Sequence, residues 1–313
     1  MAESPARIRI ATRESRLAMR QTEMVGEALR SRHPGLAIET VGMTTKGDRV
    51  LDRPLAEVGG KGLFVKELEV ALDQGRADIA VHSLKDVPMV LPPQFSLATF
   101  GPREDARDAF VCTRHASIEA LPEGCVVGTS SLRRESQLRR AFPKLRFKAL
   151  RGNVNTRLAK LDAGDYDAII LAAAGLRRLG LADRIRALLP ETLALPAICQ
   201  GILAIEYRRD RSDLAALLAP FEDAPTAAAA RAERALGLVV EGSCDVPLGG
   251  LARAAGGKLV LEGFIGLPDG TRLVRDRIEG RTEEAEALGR SLGRGLLDAG
   301  GREILDILAR RSA

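Results

Sequence analysis

Val126-Val127-Gly128-Thr129-Ser130-Ser131-Leu132-Arg133-Arg134 reads as the end of a strand, a polar turn and the start of a helix. The β-branched valines favour an extended run, which we assign to Val126–Thr129. The hydroxyls of Thr129, Ser130 and Ser131 suit the orphan N–H groups of a helix start, and Leu132–Ala141 continues as that helix. The same strand-to-helix joint recurs in both directions. Downstream, Leu145–Ala149 leads into the helix Val154–Ala163, and Ala168–Ala172 is a very apolar strand. Upstream, Ala109–Thr113 is a strand. Earlier still, the strand Arg7–Ala11 meets the N-cap candidates Thr12 and Ser15 and an apolar stripe at Leu17, Met24, Val25, Ala28 and Leu29. Leu36–Val41 and Ala77–His82 are further strands, with an amphipathic helix at Leu63–Gln74. The β-α-β-α-β order predicts largely parallel sheets.

Two such rounds are separated by residues 101–107, GPREDAR, a polar hinge candidate opened by Gly-Pro. The strand Ile202–Tyr207 returns the chain to the first round. The composition then changes. Ala227–Leu238 is an Ala-rich helix, and Leu259–Ile265 and Thr271–Ile278 flank the turn Pro268-Asp269-Gly270 as a hairpin. Glu283–Asp298 and the chain from Arg302 are helices. The expected fold class is α/β: two lobes resembling periplasmic binding proteins, plus a small C-terminal α+β domain. The expected spans are 1–101 plus about 200–220, 102–196, and 224–313. Such folds hold ligands at the C-terminal ends of their strands.

The 313 residues carry a net charge of +5, dominated by arginine, with 3% aromatics and no Trp. Single-strand nucleic-acid binders stack bases on aromatic rings, so small anionic ligands are the better reading than nucleic acid. The arginines recur in pairs beside glycines and small residues, as bidentate carboxylate or phosphate grips do. No G-x-x-x-x-G-K-[ST] is present, which disfavours nucleotide phosphates. The first residues contain no apolar export run, and no stretch reaches the length of a membrane span, so a cytoplasmic protein with no membrane partner is expected. Cys112, Cys125, Cys199 and Cys244 are far apart, which argues against a disulfide framework or a zinc site; no metal is expected.

Anion-binding side chains follow five predicted strands: Arg13 and Ser15; Ser83, Lys85 and Asp86; Thr129, Ser130, Ser131, Arg133 and Arg134; Arg151, Asn153 and Arg157; Arg177 and Arg178. One such cluster is read most simply as a solvated face. Five at one topological position point to a single cationic cleft, aided by helix N-termini. Asp86 beside Lys85 reads alone as a surface ion pair. Among many cations it would instead be held ionised, ready to stabilise a cation or shuttle a proton. Cys244 lies in Gly242-Ser243-Cys244-Asp245-Val246-Pro247, a turn able to present a thiol. His33, His82 and His115 show neither ligand nor triad spacing.

The chain resembles the porphobilinogen deaminase family over nearly its whole length. The resemblance rests on Ile10–Ser15, Val58–Phe64, His82–Pro88, Val127–Arg134, Leu150–Val154 and Gly242–Pro247. It implies a transferase, hydroxymethylbilane synthase, that condenses four porphobilinogens with loss of ammonia. It implies a dipyrromethane cofactor bound covalently through Cys244, with Asp86 as the catalytic carboxylate. Ser83, Lys85, Asp86, Thr129, Ser131, Arg133, Arg134 and Arg151 would hold the cofactor. Arg13, Ser15, Arg157, Arg178 and Lys61, the last in the loop Gly59–Gly62, would hold substrate. The implied enzyme is a cytoplasmic monomer whose partner is porphobilinogen. Cys199 stands where the family usually has glycine, and Ser243 and Asp245 flank the cofactor cysteine where relatives vary. The rival reading is a two-lobed, non-catalytic anion-binding protein.

Overall fold

A computed structural model of the chain describes residues 6–45, 47, 62, 65–240 and 246–312. Thirteen strands run in chain order among these residues: β1 (Arg7–Arg13), β2 (Ala37–Met43), β3 (Ile79–Ser83), β4 (Phe95–Phe100), β5 (Asp108–Val111), β6 (Val126–Gly128), β7 (Arg146–Lys148), β8 (Ala168–Ala172), β9 (Ala187–Leu188), β10 (Leu203–Arg208), β11 (Leu248–Ala255), β12 (Lys258–Gly266) and β13 (Leu273–Arg281). They form three sheets, ordered β2-β1-β3-β10-β4, β7-β6-β8-β5-β9 and β11-β12-β13.

The two five-stranded sheets share one plan. In each, three parallel strands lie in the order second, first, third. A fourth strand, β10 or β5, enters after the chain crosses between the sheets and runs antiparallel to both neighbours. The sheets are therefore mixed rather than largely parallel, because a strand arriving from the other lobe inserts in the opposite direction.

Apolar faces explain the layers. The helix Arg16–Arg32 packs Val25 and Leu29 against Ile8, Ile10, Ile79 and Ile205. In the second lobe Leu138 of the helix Leu132–Ala141 packs with Phe110, Val127 and Ile170. The Ala-rich helix Ala224–Val239 lies on the third sheet, and its core runs through Leu236, Leu261, Leu292 and Leu296, by way of Ile198, into Leu84 and Ala204 of the first lobe.

The expected hairpin is present as β12 and β13, and the helices after it as Ala285–Leu296 and Arg302–Ser312. The helix Leu63–Gln74 is described from Lys66 to Asp73. β4, β9, β11 and the helix Ser212–Leu218 carry no signal singled out from sequence. β11 is the most instructive, since its run LGGLARAA has poor strand propensity. A Cβ on Gly249 would lie 2.4 Å from the Phe264 ring and 2.8 Å from Pro196 O, so close backbone approach requires the glycine.

The two crossings are tied to the third sheet by one buried carboxylate. Glu233 is 0% exposed. It accepts from Arg103 Nη1 (2.5 Å), Cys199 N (2.5 Å) and Ala252 N (2.7 Å). Cys199 adopts φ 60, a left-handed conformation that favours glycine, so this departure from glycine carries backbone strain. Burial pushes its thiol well above the usual cysteine range, with Glu233 adding to the effect. That makes Cys199 an inert core residue.

Candidate functional site

Because β1 and β3 are parallel, their C-terminal ends deliver Arg13, Ser15, Ser83, Lys85 and Asp86 to one edge of the first sheet. β6, β7 and β8 do the same for the second, delivering Thr129, Ser131, Arg151, Arg157 and Arg178. The edges face each other. Asp86 acts electrostatically on Arg157, and Lys85 feels Arg133, Arg134 and Asp108.

The first edge forms a small open pocket of about 50 Å³ lined by Arg13, Ser15, Gln21, His82, Ser83 and Asp86. Ser15 caps the helix that follows β1, its Oγ accepting from Ala18 N at 3.3 Å. Gln21, on that helix, donates to Ser83 Oγ at 2.9 Å. A single 3₁₀ turn, Leu84–Asp86, ends β3; it is anchored by Leu84 N donating to Ile202 O at 2.9 Å. That anchor leaves Asp86 exposed at the cleft.

On the second edge, Thr129 Oγ1 accepts from Ser131 N at 3.2 Å, and Ser131 stands at the N-cap with its own hydroxyl outside the cap. Ser130 Oγ donates to Leu150 O and accepts from Leu150 N, locking this turn to the Arg151 loop. Arg157 Nε donates to Gly152 O at 2.8 Å. Burial pushes Arg157 down to about 10, reinforced by Arg134 and Arg151 and opposed by Asp86. Arg178 Nη2 donates to Gly201 O at 2.7 Å, and burial pushes it down to about 10 against the pull of Glu104. Arg177 turns instead to Glu104 and Asp105.

Arg133 and Arg134 are buried: they are 4% and 6% exposed and share Asp108, which is 0% exposed. Arg134 Nη2 donates to Asp108 Oδ1 at 2.8 Å. Arg133 Nη1 lies 2.8 Å from Oδ2 while donating to Leu195 O at 2.7 Å. Burial works against the Asp108 carboxylate, but the two guanidiniums overcome it and hold the group far below the usual range. Gln200 bridges the lobes, donating to Asp108 Oδ1 at 2.9 Å and accepting from Lys85 Nζ at 3.2 Å. Lys85 is partly buried, and loss of water pushes its amine down to about 8; Asp86 and Asp108 oppose this, and Arg134 and Arg133 add to it.

Lys61 and Cys244, with Gly59, Gly60, Ser243 and Asp245, lie outside the described residues. Sequence reasoning missed Gln21 and Asp108, and it set His82 aside. The one available signal was Asp108, a carboxylate opening an apolar strand, which demands buried partners.

The donor set fits a polycarboxylate. Two guanidiniums share one buried carboxylate, leaving a net positive charge, and Arg133 Nε and Arg134 Nε are buried without hydrogen-bond partners among the described residues. Two helix starts, at Ser15 and Ser131, open on the two edges. Among the described residues no group of three or more His, Cys, Asp or Glu is placed to hold a metal, and no helix is long and apolar enough to cross a membrane.

Residues 8–216 match the family model "porphobilinogen deaminase, dipyromethane cofactor binding domain", and residues 227–298 match "porphobilinogen deaminase, C-terminal domain". The porphobilinogen deaminase of Thiobacillus denitrificans is 56% identical over 299 residues, covering 96% of this chain and 98% of its own length. That of Burkholderia thailandensis is 56% identical over 315 residues, covering 100% and 96%. Among solved structures, the methionine-binding protein MetQ aligns with a TM-score of 0.43 at 15% identity, over 70% of this chain and 91% of its own. Matched by both models and more than half identical to these relatives nearly end to end, the chain belongs to the porphobilinogen deaminase family.

Proposed function

We propose that the chain joins four porphobilinogen molecules head to tail, releasing ammonia and hydroxymethylbilane, on a dipyrromethane group bound through Cys244. One observation carries this reading: an exposed carboxylate, Asp86, stands at the mouth of a cleft whose other charged groups include Arg13, Lys85 and Arg157. Each pyrrole ring brings two carboxylates, so a growing chain is a polyanion that needs paired cations along its path. When bound, the dipyrromethane supplies the nucleophilic ring carbon to which the first substrate is joined. Ser83, Lys85, Thr129, Ser131, Arg133, Arg134 and Arg151 are the residues proposed to hold it, and Arg13, Ser15, Arg157 and Arg178 to hold substrate.

Loss of ammonia from porphobilinogen leaves positive charge on its ring. Asp86 stabilises that charge by proximity, and the cations behind it keep its carboxylate in place without neutralising the cleft. Lys61 is a candidate lid contact. The units are proposed to divide at 1–101 plus about 200–220, 102–196 and 224–313. We assign a monomer, as the family resemblance implies. We assign the cytoplasm, since Cys112, Cys125 and Cys199 are free thiols, as a reducing compartment keeps them.

Intact mass after denaturation tests the covalent reading. The purified protein should exceed its polypeptide mass by two pyrrole units, and Cys244→Ser should not. Active protein at the bare polypeptide mass overturns it.

A further inference from the structure

A line of titratable groups runs from the cleft wall to the outer face of the first sheet, and the deaminase reading above leaves it without a role. β3 and β10 pair antiparallel, with His82 opposite Ala204 and Glu206 opposite Ala80. His82 and Glu206 are therefore diagonal neighbours on one face. His82 Nε2 lies 2.8 Å from Glu206 Oε2. Glu206 is 0% exposed, and its Oε1 is buried without a hydrogen-bond partner among the described residues. A half-satisfied buried carboxylate is costly, and such groups call for an explanation beyond packing.

The helix Lys66–Asp73 covers this face through Leu68, Ala71 and Leu72. From it the half-buried Glu69 feels the charge of Glu206. Burial pushes the Glu69 carboxyl up, Glu206 adds to the rise, and His82 and Lys66 oppose it. Arg234, from the helix Ala224–Val239, also feels Glu206. His82 also lines the cleft pocket, together with Asp86, Ser83 and Arg13. The order is thus cleft, imidazole, buried carboxylate, half-exposed carboxylate, water.

We propose that His82, Glu206 and Glu69 form a proton relay that carries the proton shed at each ring-joining step from the cleft to bulk water. The proposal rests on the deaminase reading. When a ring is joined, the C–H bond at the attacking carbon breaks and its electron pair returns to that ring. The proton passes through Asp86 to Nδ1 of His82. The Nε2 proton moves to Glu206, and one leaves by way of Glu69. The ammonia released in the same cycle takes up one proton in water, so charge and atoms balance without a further reagent. These three are positioning residues acting through Asp86.

Glu206→Gln and Glu69→Gln keep the shape of each side chain and remove its ability to carry a proton. Each is compared with the parent as purified, pyrrole-loaded protein. The expected result is a fall in kcat of about ten- to a hundredfold at unchanged KM, with a larger solvent isotope effect. Activity should then climb with added formate or imidazole, and the pH profile should follow that external base. Intact mass after one equivalent of substrate should show the joined adduct forming more slowly. A merely structural role would lower the melting temperature without rescue by small bases. If Glu206→Gln does not fold, the half-exposed Glu69→Gln carries the test. Parent-like kcat and pH profile in the folded, loaded variants overturn the relay. A parent protein that forms neither ammonia nor hydroxymethylbilane overturns the deaminase reading instead.

Discussion

Asp108→Asn removes a charge that two buried guanidiniums depend on. Asp108 is 0% exposed, with Arg133 Nη1 and Arg134 Nη2 each 2.8 Å from its oxygens. Asparagine preserves the shape but leaves both cations uncompensated inside the protein. Removing one partner of a buried pair costs about 3–5 kcal/mol, and here two cations share the loss. Gln200 Nε2, which donates to the same oxygen, retains an acceptor only if the new amide turns its oxygen that way. Urea unfolding at pH 7, read by circular dichroism, measures the loss. The pH dependence supplies a second readout. Asp108 is depressed in the fold, so its stabilisation is complete above the unfolded carboxylate value of about 4 and is lost as pH falls from there toward the native value. The parent should therefore lose stability more steeply than Asp108→Asn below about pH 4. A variant within about 1 kcal/mol of the parent at pH 7 would refute the account, because surface pairs contribute no more than that.

Asp86→Asn should retain the parent's melting temperature, since Asp86 is exposed, and lose about a hundred- to a thousandfold in kcat, measured as hydroxymethylbilane formed. Lys85, pushed down to about 8, should return toward its ordinary 10.5 when a carboxylate ligand binds. Binding of a dicarboxylate pyrrole to Cys244→Ser protein at pH 9 should therefore take up protons, seen by calorimetry in buffers of different ionisation enthalpy, and Lys85→Met should abolish the uptake. Gly201→Ala should lose at least about 2 kcal/mol in the urea assay, because Gly201 has φ 91 and a Cβ there would meet Glu104 O at 2.3 Å.

What was legible in the sequence was local. The joint at Gly128–Leu132 is legible as a polar turn opening a helix, although Ser131 makes no cap bond and Ser130 ties to Leu150 instead; the Ser15 cap is read directly from its hydroxyl. The strand Ala168–Ala172 is recognisable because it is apolar throughout, which matches the burial of four of its five residues. The strand β11 was not legible, because its Gly249 is required by Phe264 and Pro196 and its Gly250 by Leu236 and Ile198, residues outside the strand that only the fold brings together. The cationic cleft was legible as a set of residue types following strands. Which of these cations are paired inside the protein was not. The partition of Arg133 and Arg134 toward Asp108 depends on residues 108, 133, 134 and 200 meeting in space, and no local pattern encodes that meeting.

The visiting strands have a consequence for synthesis. β4, which ends at Phe100, is hydrogen-bonded to its sheet only through β10, which does not begin until Leu203. While a ribosome is still making the chain, the first lobe must wait with an open edge beside β3, whereas the second, whose strands all lie within residues 108–188, can close as soon as it emerges. The order of completion is thus inverted relative to the order of translation. The exposed flank of β3 is the place where a helper protein, or a neighbouring nascent chain, would find an unpaired strand to grip.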